Sequence, residues 1–217
     1  MTSRGELPLD AGIGGAEPHR VATHAPQVLR EDDPGAAVLR AGGWTVAHRS
    51  WGARLHSVDP ERLRALVAAA DALGYAIAQV GPEADAGIAA LESAVREDYP
   101  GGPATAPAPH DVAALAALRA GGTRFFAALH GDEVVAITAI KREDDERAET
   151  DFTAVARGHR RRGLAEAVKA ASVLALAAEG ARVFGTGGAD ENAASLAMNA
   201  RLGYAVTERW LTLVPPR

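Results

Sequence analysis

Hydrophobic residues recur along this chain with two periods, and each period predicts one type of secondary structure. Leucine and valine return every three or four positions after Asp59, which is typical of an N-cap, until Gly74 closes the helix. Short apolar runs bounded by glycine, proline or charged residues predict strands instead. The helices predicted in this way span residues 59–74, 84–97, 111–121, 164–179 and 192–201. The predicted strands span residues 75–80, 124–129, 134–140, 148–156 and 182–184, with one or two more within 204–214.

The first part of the chain carries weaker signals. Residues 1–35 are rich in glycine, proline and isolated charges and show no apolar period, so they are predicted to be poorly ordered. Two short strands are predicted at 44–48 and 52–56, with a turn around Trp51. Residues 98–109 contain four prolines in twelve positions and are predicted to form an irregular loop.

The order of elements in the second half predicts the fold class. From residue 124 onward the pattern reads strand, strand, strand, helix, strand, helix and strand. Gly131 and Asp132 mark a tight turn between the first two strands. A long helix between two strands is typical of a crossover that joins parallel neighbours. The chain is therefore predicted to be an α/β protein with a largely antiparallel first half and a crossover helix.

Composition narrows the class of protein further. The 217 residues are 47% hydrophobic and 24% charged, which is the balance of a folded globular protein. No apolar run is long enough to cross a bilayer, and no basic stretch followed by an apolar one opens the chain, so neither membrane spanning nor secretion is expected. Because cysteine is absent, disulfides, thiolate metal sites and a cysteine nucleophile are excluded. These features predict a cytoplasmic protein.

The turn from Arg157 to Ala165 is the strongest candidate for chemistry. It leaves a predicted strand and enters a long predicted helix, whose unpaired first-turn amides favour an anion. Gly163 leaves the backbone bare enough for a phosphate to approach it, and three arginines with His159 add positive charge. A solvated basic loop is the alternative interpretation of the arginines. The position between a strand and a helix favours an anion site.

Two sequence elements resemble the GNAT acetyltransferase superfamily. Arg160, Gly163 and Ala165 match its signature for the pyrophosphate of acetyl-CoA, which is arginine or glutamine, two residues, glycine, one residue, then glycine or alanine. The segment Asn192–Tyr204 is similar to the second characteristic element of the family, which ends in Gly-Phe or Gly-Tyr. The resemblance covers the chain from about Tyr75 to its C-terminus. It implies a mixed central sheet flanked by helices, with a splayed strand at the acetyl-CoA site.

The resemblance implies acetyl-CoA as a cosubstrate and no metal. Backbone amides from Arg160 to Ala165 would hold the pyrophosphate, and main-chain groups beside Val155 would bond the pantetheine arm like an added strand. Asn192 would hydrogen-bond the arm or its thioester end, and it can cap its helix at the same time. The residues implied in cofactor binding are Val155, Ala156, Arg157, Arg160, Arg161, Arg162, Gly163, Leu164, Ala165, Asn192, Ser195 and Asn199.

The resemblance also suggests catalytic residues. Acetyl transfer to an amine needs a base for the amine and a proton for the leaving thiolate. Glu149 is preferred as the base over Asp151, which the alternation of a strand places on the same face; a solvated carboxylate at a strand start is the alternative for Glu149. Asn199 stands where many relatives carry a tyrosine that donates the proton, and an amide cannot act as that acid. The thiolate then leaves with help from water, or Tyr99 acts as the donor, or catalysis is weak. The acidic-aromatic element around Tyr99 could also recognise a cationic amine, with a plain helix-end turn as the alternative.

Other patterns are not interpreted as sites. The net charge of −5 argues against a nucleic-acid partner. His110, His130 and His159 lack the spacing of metal ligands. The glycines of residues 185–188 lack the rest of a dinucleotide fingerprint, so this segment is predicted to be a flexible turn beside the cofactor cleft.

The N-terminal part raises a question of domain organisation. Residues 36–44 and the strands after them look similar to residues 200–204 and the strands after those, and the resemblance is closest to family members with tandem domains. Residues 36–74 are therefore interpreted as a hairpin and linker helix left from a degenerate first domain, with coincidence as the alternative. The predicted division is a poorly ordered segment 1–35, the remnant 36–74 and an acetyltransferase domain 75–217.

These observations predict an acetyl-CoA-dependent N-acetyltransferase that acts on a small amine. Because no cysteine can form an acyl-enzyme thioester, direct attack in a ternary complex is favoured. The alternative is a non-catalytic acyl-CoA-binding module that serves as a sensor or scaffold. Pairing of exposed strand edges would give a homodimer.

Overall fold

The computed structural model describes residues 25–98 and 110–216, and within these ranges it contains eight strands and six helices. The strands are β1 (Gln27–Arg30), β2 (Thr45–Leu55), β3 (Ala76–Val80), β4 (Thr123–His130), β5 (Glu133–Arg142), β6 (Arg147–Val155), β7 (Val183–Ala189) and β8 (Ala205–Val214). The helices are α1 (Pro34–Ala41), α2 (Pro60–Asp71), α3 (Asp85–Val95), α4 (Val112–Ala120), α5 (Leu164–Ala178) and α6 (Ala193–Leu202). Short 3-10 turns occupy Pro82–Ala84, Arg96–Asp98 and Arg157–His159.

All eight strands form one mixed sheet in the order β1-β8-β2-β7-β6-β5-β4-β3. Strands β3 to β6 are an antiparallel meander, whereas β6 and β7 run parallel. A parallel pair needs a crossover connection, which α5 provides. The predicted α/β class, the antiparallel first half and the crossover helix are confirmed.

Helices cover both faces of the sheet. Phe125 and Phe126 are neighbours in β4, yet they belong to different core clusters because side chains alternate across a strand. The cluster of Phe126 includes side chains of α2, α5 and α6, and the cluster of Phe125 includes those of α3 and α4. Helix α5 therefore packs against the same face of the sheet as α2 and α6.

Capping residues fix where several helices begin and end. The side chain of Asp59 accepts a hydrogen bond from the Arg62 amide, and Asp111 accepts one from the Ala114 amide. Helix α6 ends at Gly203, whose φ of +98° is left-handed. These local signals explain why the helix boundaries read from the sequence agree with the structure to within a few residues.

The prediction of a poorly ordered N-terminus is wrong for residues 25–35. Strand β1 pairs antiparallel with β8, and Asp33 caps α1 by accepting a hydrogen bond from the Gly35 amide. Ala36 is buried against Leu211 and Leu213 of β8. This order depends on a partner far along the chain, which a local pattern does not reveal. Residues 1–24 lie outside the described residues.

The predicted hairpin at 44–48 and 52–56 is also wrong, because β2 is one continuous strand. Ser50 pairs with Ala189 of β7 on one side and with Trp210 of β8 on the other. The register between β2 and β8 shifts after Val46 and after Gly52. These shifts account for the break in the apolar pattern that suggested a turn. The segment interpreted as a separate remnant thus contributes a strand to the middle of the sheet.

The glycine run of residues 185–188 lies in β7 and is not a flexible turn. A Cβ atom on Gly188 would lie 2.7 Å from the Trp51 ring, so the indole can pack there only against glycine. The Trp51 indole N–H donates to the Ala189 carbonyl at 3.2 Å. The glycines therefore allow β2 and β7 to pack closely.

The N-terminal segment repeats the arrangement of the C-terminal one. In β1-α1-β2 and in β7-α6-β8 a strand leads through a capped helix and a left-handed glycine into a long strand. The two glycines are Gly43 at φ +87° and Gly203 at φ +98°. Strand β2 pairs antiparallel with β8, and β1 of the first unit lies beside β8 while β7 of the second lies beside β2, so the two units run in opposite directions in the sheet.

Candidate active site

Strands β6 and β7 form a fork. Their parallel pairing ends at Glu149 opposite Gly185, and no pairing joins residues 150–155 with residues 186–189. A cavity of about 1260 Å³ opens from this fork to the N-terminus of α5. The predicted splayed strand is therefore present, and the fork leaves room for an extended ligand between two strands.

The N-terminus of α5 closes one end of this cavity. Gly163 has a φ of +77° and Arg161 a φ of +66°, so the chain turns sharply into the helix. The N-cap residue, Gly163, has no side chain to cap the helix, and the Ala167 amide makes the first helical hydrogen bond, to the Gly163 carbonyl. Amides before Ala167 thus point outward at the positive end of the helix dipole, an arrangement suited to an anion.

An aspartate holds the arginines at this end of the cavity. The guanidinium of Arg157 donates to Asp98 at 2.7 and 2.9 Å, and Arg160 pairs with the same carboxylate. Hydrogen bonds from Arg157 and then Arg160 lower the pKa of Asp98 to about 2. Arg160 also donates to the Val155 carbonyl at 3.2 Å. Asp98 therefore fixes the orientation of Arg157 and Arg160, although both side chains remain exposed to solvent.

The structure brings most of the predicted cofactor-binding residues into one cavity. Ala156, Arg157 and Arg162 do not line it: the Ala156 amide donates to the Val135 carbonyl, and Arg162 donates to the Tyr75 hydroxyl. The predicted residues that line it are Val155, Arg160, Arg161, Gly163, Leu164, Ala165, Asn192, Ser195 and Asn199. Tyr99, the predicted alternative proton donor, lies outside the described residues.

Both predicted carboxylates line the same cavity. The Glu149 side chain is 41% exposed and lies 3.5 Å from an Arg54 guanidinium nitrogen. Partial burial raises the pKa of Glu149, and the charges of Arg54 and Lys169 oppose this. Asp151 is the extra residue of a β-bulge, because Phe152 and Thr150 pair with consecutive residues of β5. The bulge, rather than simple alternation, therefore determines where Asp151 points.

The polar residues of α6 have defined partners. Asn192 caps the helix by accepting a hydrogen bond from the Ser195 amide at 3.0 Å, as predicted. The Asn199 amide nitrogen donates to the Ser195 carbonyl at 3.0 Å, and its oxygen accepts from Lys169 at 2.8 Å. The Asn199 amide is thus fixed in orientation by protein groups.

Lys169 is a cavity residue that the sequence reasoning missed. It lies on α5 and is 1% exposed, and its ammonium group also donates to the Thr186 hydroxyl at 2.9 Å. A signal for it exists in the sequence, since it is a single lysine within a helix of alanine, leucine and valine.

Arg54 was missed because it belongs to the N-terminal segment. Its guanidinium lies between Glu149 and Glu208 and pairs with Glu208 at 3.1 Å. No local pattern marked this arginine, because its partners come from β6 and β8.

A second pair that the sequence reasoning missed lies on the far side of the bulge. The His110 Nδ1 atom is 3.0 Å from the Glu92 carboxylate, and its ring stacks on Phe152 at 5.2 Å between centroids. Burial raises the pKa of Glu92, and the hydrogen bond to His110 opposes this. His110 and Asp151 both line the cavity.

In residues 25–98 and 110–216, no group of three histidine, aspartate or glutamate side chains is placed to hold a metal ion. None of the helices there is both long and apolar enough to span a bilayer.

Several solved structures share this fold. A tandem GNAT protein from the clavulanic acid biosynthesis pathway is 23% identical, with a TM-score of 0.60 over 87% of this chain. This chain spans only 62% of the length of that protein. A GCN5-related N-acetyltransferase from Kribbella flavida is 21% identical, with a TM-score of 0.55 and coverage of 88% of this chain and 67% of that one. One from Sphaerobacter thermophilus is 11% identical, with a TM-score of 0.64 and coverage of 88% and 60%.

At sequence level the chain matches no curated protein. The sequence profile of the acetyltransferase (GNAT) family, however, matches residues 88–204, which is more than half of the chain. This range contains the fork of β6 and β7, the turn at Gly163 and the whole of α5 and α6. The resemblance drawn from Arg160, Gly163 and Ala165 is therefore confirmed, and the chain belongs to the GNAT acetyltransferase family.

Proposed function

We propose that this protein transfers the acetyl group of acetyl-CoA to the amine of a small molecule. The observation that supports the proposal is that one cavity is lined by both a helix N-terminus and a carboxylate. An uncapped helix N-terminus beside Gly163 lies at one end, and the Glu149 carboxylate lies at the apex of the strand fork. The first suits a diphosphate and the second suits an amine that must lose a proton.

The residues at the α5 turn fit the diphosphate of the cosubstrate. The left-handed backbone at Arg161 and Gly163 turns consecutive amides toward the cavity, and Arg160 adds charge beside them. Beyond Glu149 the facing edges of β6 and β7 do not pair with each other, and they would accept the pantetheine arm between them. Acetyl-CoA, when bound, supplies the acetyl thioester, and the residues of the chain hold it in position.

Glu149 is proposed as the base that accepts the proton of the attacking amine. Its raised pKa makes it a better base than an ordinary carboxylate, and its half-exposed position lets an amine or a bridging water reach it. Asp151, at the exposed bulge, would attract the cationic form of the amine to the cavity. We propose direct attack of the amine on the thioester, which the absence of a cysteine to carry the acetyl group favours.

The competing proposal is a non-catalytic acyl-CoA-binding module. The specific observation in its favour is Asn199, whose amide bonds Lys169 and Ser195 and offers no acid for the leaving thiolate. Such a module would bind acetyl-CoA at the same turn and release no coenzyme A with any amine.

The test is to measure free coenzyme A with a thiol reagent across a panel of small amines. The absence of cysteine makes this assay clean, because every thiol detected comes from the cosubstrate. We expect amine-dependent release in the wild type, and a large loss in Glu149→Gln with binding of acetyl-CoA retained. Binding without release on every amine would instead support the module.

We also propose that residues 27–55 are the last part of a first GNAT unit. The repeat of strand, capped helix, left-handed glycine and long strand supports this, as does the antiparallel pairing of β2 with β8. In this proposal the segment was retained because β2 completes the sheet and brings Arg54 to Glu149.

A further inference from the structure

Lys169 is a buried ammonium group without a carboxylate partner. It is 1% exposed in the interior of α5, and among the described residues no carboxylate forms an ion pair with it. Lysine is rarely buried in this way, because moving an unpaired charge out of water is costly. A lysine retained at such a position is a candidate for function rather than for stability.

The ammonium group lies at the apex of the fork. Two of its protons go to the Thr186 hydroxyl and the Asn199 amide oxygen, at 2.9 and 2.8 Å. Thr186 directly follows Gly185, where the pairing of β6 and β7 ends. Lys169, Thr186 and Asn199 all contribute to the cavity wall. An ammonium group has three protons, and these hydrogen bonds use two of them.

Each group that faces Lys169 affects whether it holds its proton. Burial lowers the pKa of Lys169 to about 7, and the Glu149 carboxylate from β6 opposes this. From the end of α6, the ring of Tyr204 lies 5.0 Å from the amine, and burial keeps its phenol neutral by raising its pKa.

The remaining charges near the apex are already paired. Glu166, on the same helix as Lys169, is bonded to Arg201 of α6. Arg54 of β2 lies between Glu149 and Glu208. Among the groups described above, Glu149 is therefore the one carboxylate whose charge acts on the Lys169 side chain.

We propose that Lys169 donates the proton that the coenzyme A thiolate takes up as the acetyl group is transferred. The inference rests on the proposed function, which brings the thioester to the apex of the fork. It assigns the proton donor to α5, a helix that the sequence reasoning connected only with the diphosphate.

The step balances in atoms and charge. The amine nitrogen forms a bond to the acetyl carbon, and the carbon–sulfur bond breaks with its electron pair going to sulfur. The sulfur takes a proton from the Lys169 ammonium, and the new amide gives its extra proton to Glu149. A proton then passes from Glu149 back to Lys169, directly or through water, and restores both groups. A thiol has an ordinary pKa near 8.5, so transfer from an amine of pKa about 7 is downhill.

A structural role for Lys169 is separated from this one by the pH dependence of turnover. The proposed acid must hold its proton, so the wild-type kcat should fall as the pH rises through the pKa of Lys169, about 7. Lys169→Gln has no group that titrates there, so its residual kcat should lack this basic limb.

Two variants complete the set. Lys169→Arg keeps the charge and cannot release its proton, so it should lose both turnover and the basic limb. Ser172→Ala removes a buried hydroxyl one turn along the same helix, where it bonds the Lys169 carbonyl, and should change neither readout. With the amine found in the panel, Lys169→Gln should lower kcat about 100-fold and leave the KM for acetyl-CoA unchanged.

A basic limb of kcat that is the same in the wild type and in Lys169→Gln would overturn the inference while leaving the proposed function intact. A wild type that does not bind coenzyme A would overturn both. If Lys169→Arg fails to fold, the comparison of Lys169→Gln with Ser172→Ala still decides the question.

Discussion

Glu149 lies opposite Gly185 at the last paired position of β6 and β7, and the glycine leaves the space that the carboxylate fills. A Cβ atom on Gly185 would overlap the Glu149 carboxylate and lie 2.7 Å from an Arg54 nitrogen. The position of the proposed base thus depends on a residue that has no side chain. The α5 end of the cavity is not touched by this contact.

Gly185→Ala should therefore displace the Glu149 carboxylate without removing it. Since the atoms displaced are the far ends of flexible side chains, the fold should tolerate the methyl group, and the carboxylate should move. We expect turnover to fall toward that of Glu149→Gln, with the affinity for acetyl-CoA unchanged. Steady-state kinetics together with calorimetry measures both; full activity in Gly185→Ala would show that Glu149 need not occupy its observed position.

Gly163→Ala should weaken the binding of coenzyme A. A residue other than glycine at φ +77° is strained by roughly 1–2 kcal/mol, and relief of that strain would rotate the amides that face the cavity. Gly180 is the matched control: it follows the same helix, has a φ of +99° and has nothing within 4 Å of a built Cβ atom. Gly180→Ala should lose similar stability and keep its affinity. Equal affinities in both variants would count against the diphosphate site.

Arg54→Met should shift the acid limb of the pH–rate profile. The proposed base must be deprotonated, so activity falls as the pH drops through the pKa of Glu149. Burial raises that pKa and Arg54 opposes it, so removal of the guanidinium should raise the pKa further and move the limb to higher pH. Arg49→Met is the control, because Arg49 lies on the same strand and pairs with exposed Glu31 outside the cavity. An unmoved limb would exclude Glu149 as the titrating base.

The burial of Lys169 should be visible in stability as a function of pH. With a folded pKa of about 7 against 10.5 in the unfolded chain, the unfolded state binds more protons between these values. Wild-type stability should therefore gain relative to Lys169→Gln as the pH rises from 7 to about 10, and show no such gain below 7. Urea unfolding of both proteins at pH 6, 8 and 9.5 measures the difference. A constant difference would mean that Lys169 keeps an ordinary pKa in the fold.

The second half of the fold could be read from the sequence because its signals are local. Asp111 and Asn192 cap their helices, Gly203 ends α6, and the apolar runs between them form the strands. The cofactor end of the cavity was also readable, since the motif around Gly163 is continuous in sequence. Local periods and caps identify such elements without knowledge of their neighbours.

The apex of the fork could not be read in the same way. Strand β2 is held by β7 and β8, and Arg54 meets Glu149 only because those strands are adjacent. The pair of His110 with Glu92 joins residues on either side of the segment 99–109. Interactions between residues so far apart in sequence leave no periodic signal, whereas Lys169 could have been noticed as the one lysine of a largely apolar helix.

The most direct measurement is a crystal structure of the protein with acetyl-CoA. The diphosphate is predicted to lie within hydrogen-bonding distance of the amide nitrogens between Arg161 and Ala165, with the arm between β6 and β7. The thioester sulfur is predicted at the apex, between Glu149 and Lys169. A cosubstrate bound with its diphosphate away from the α5 turn, or with its sulfur outside the fork, would contradict the proposed acetyltransferase site.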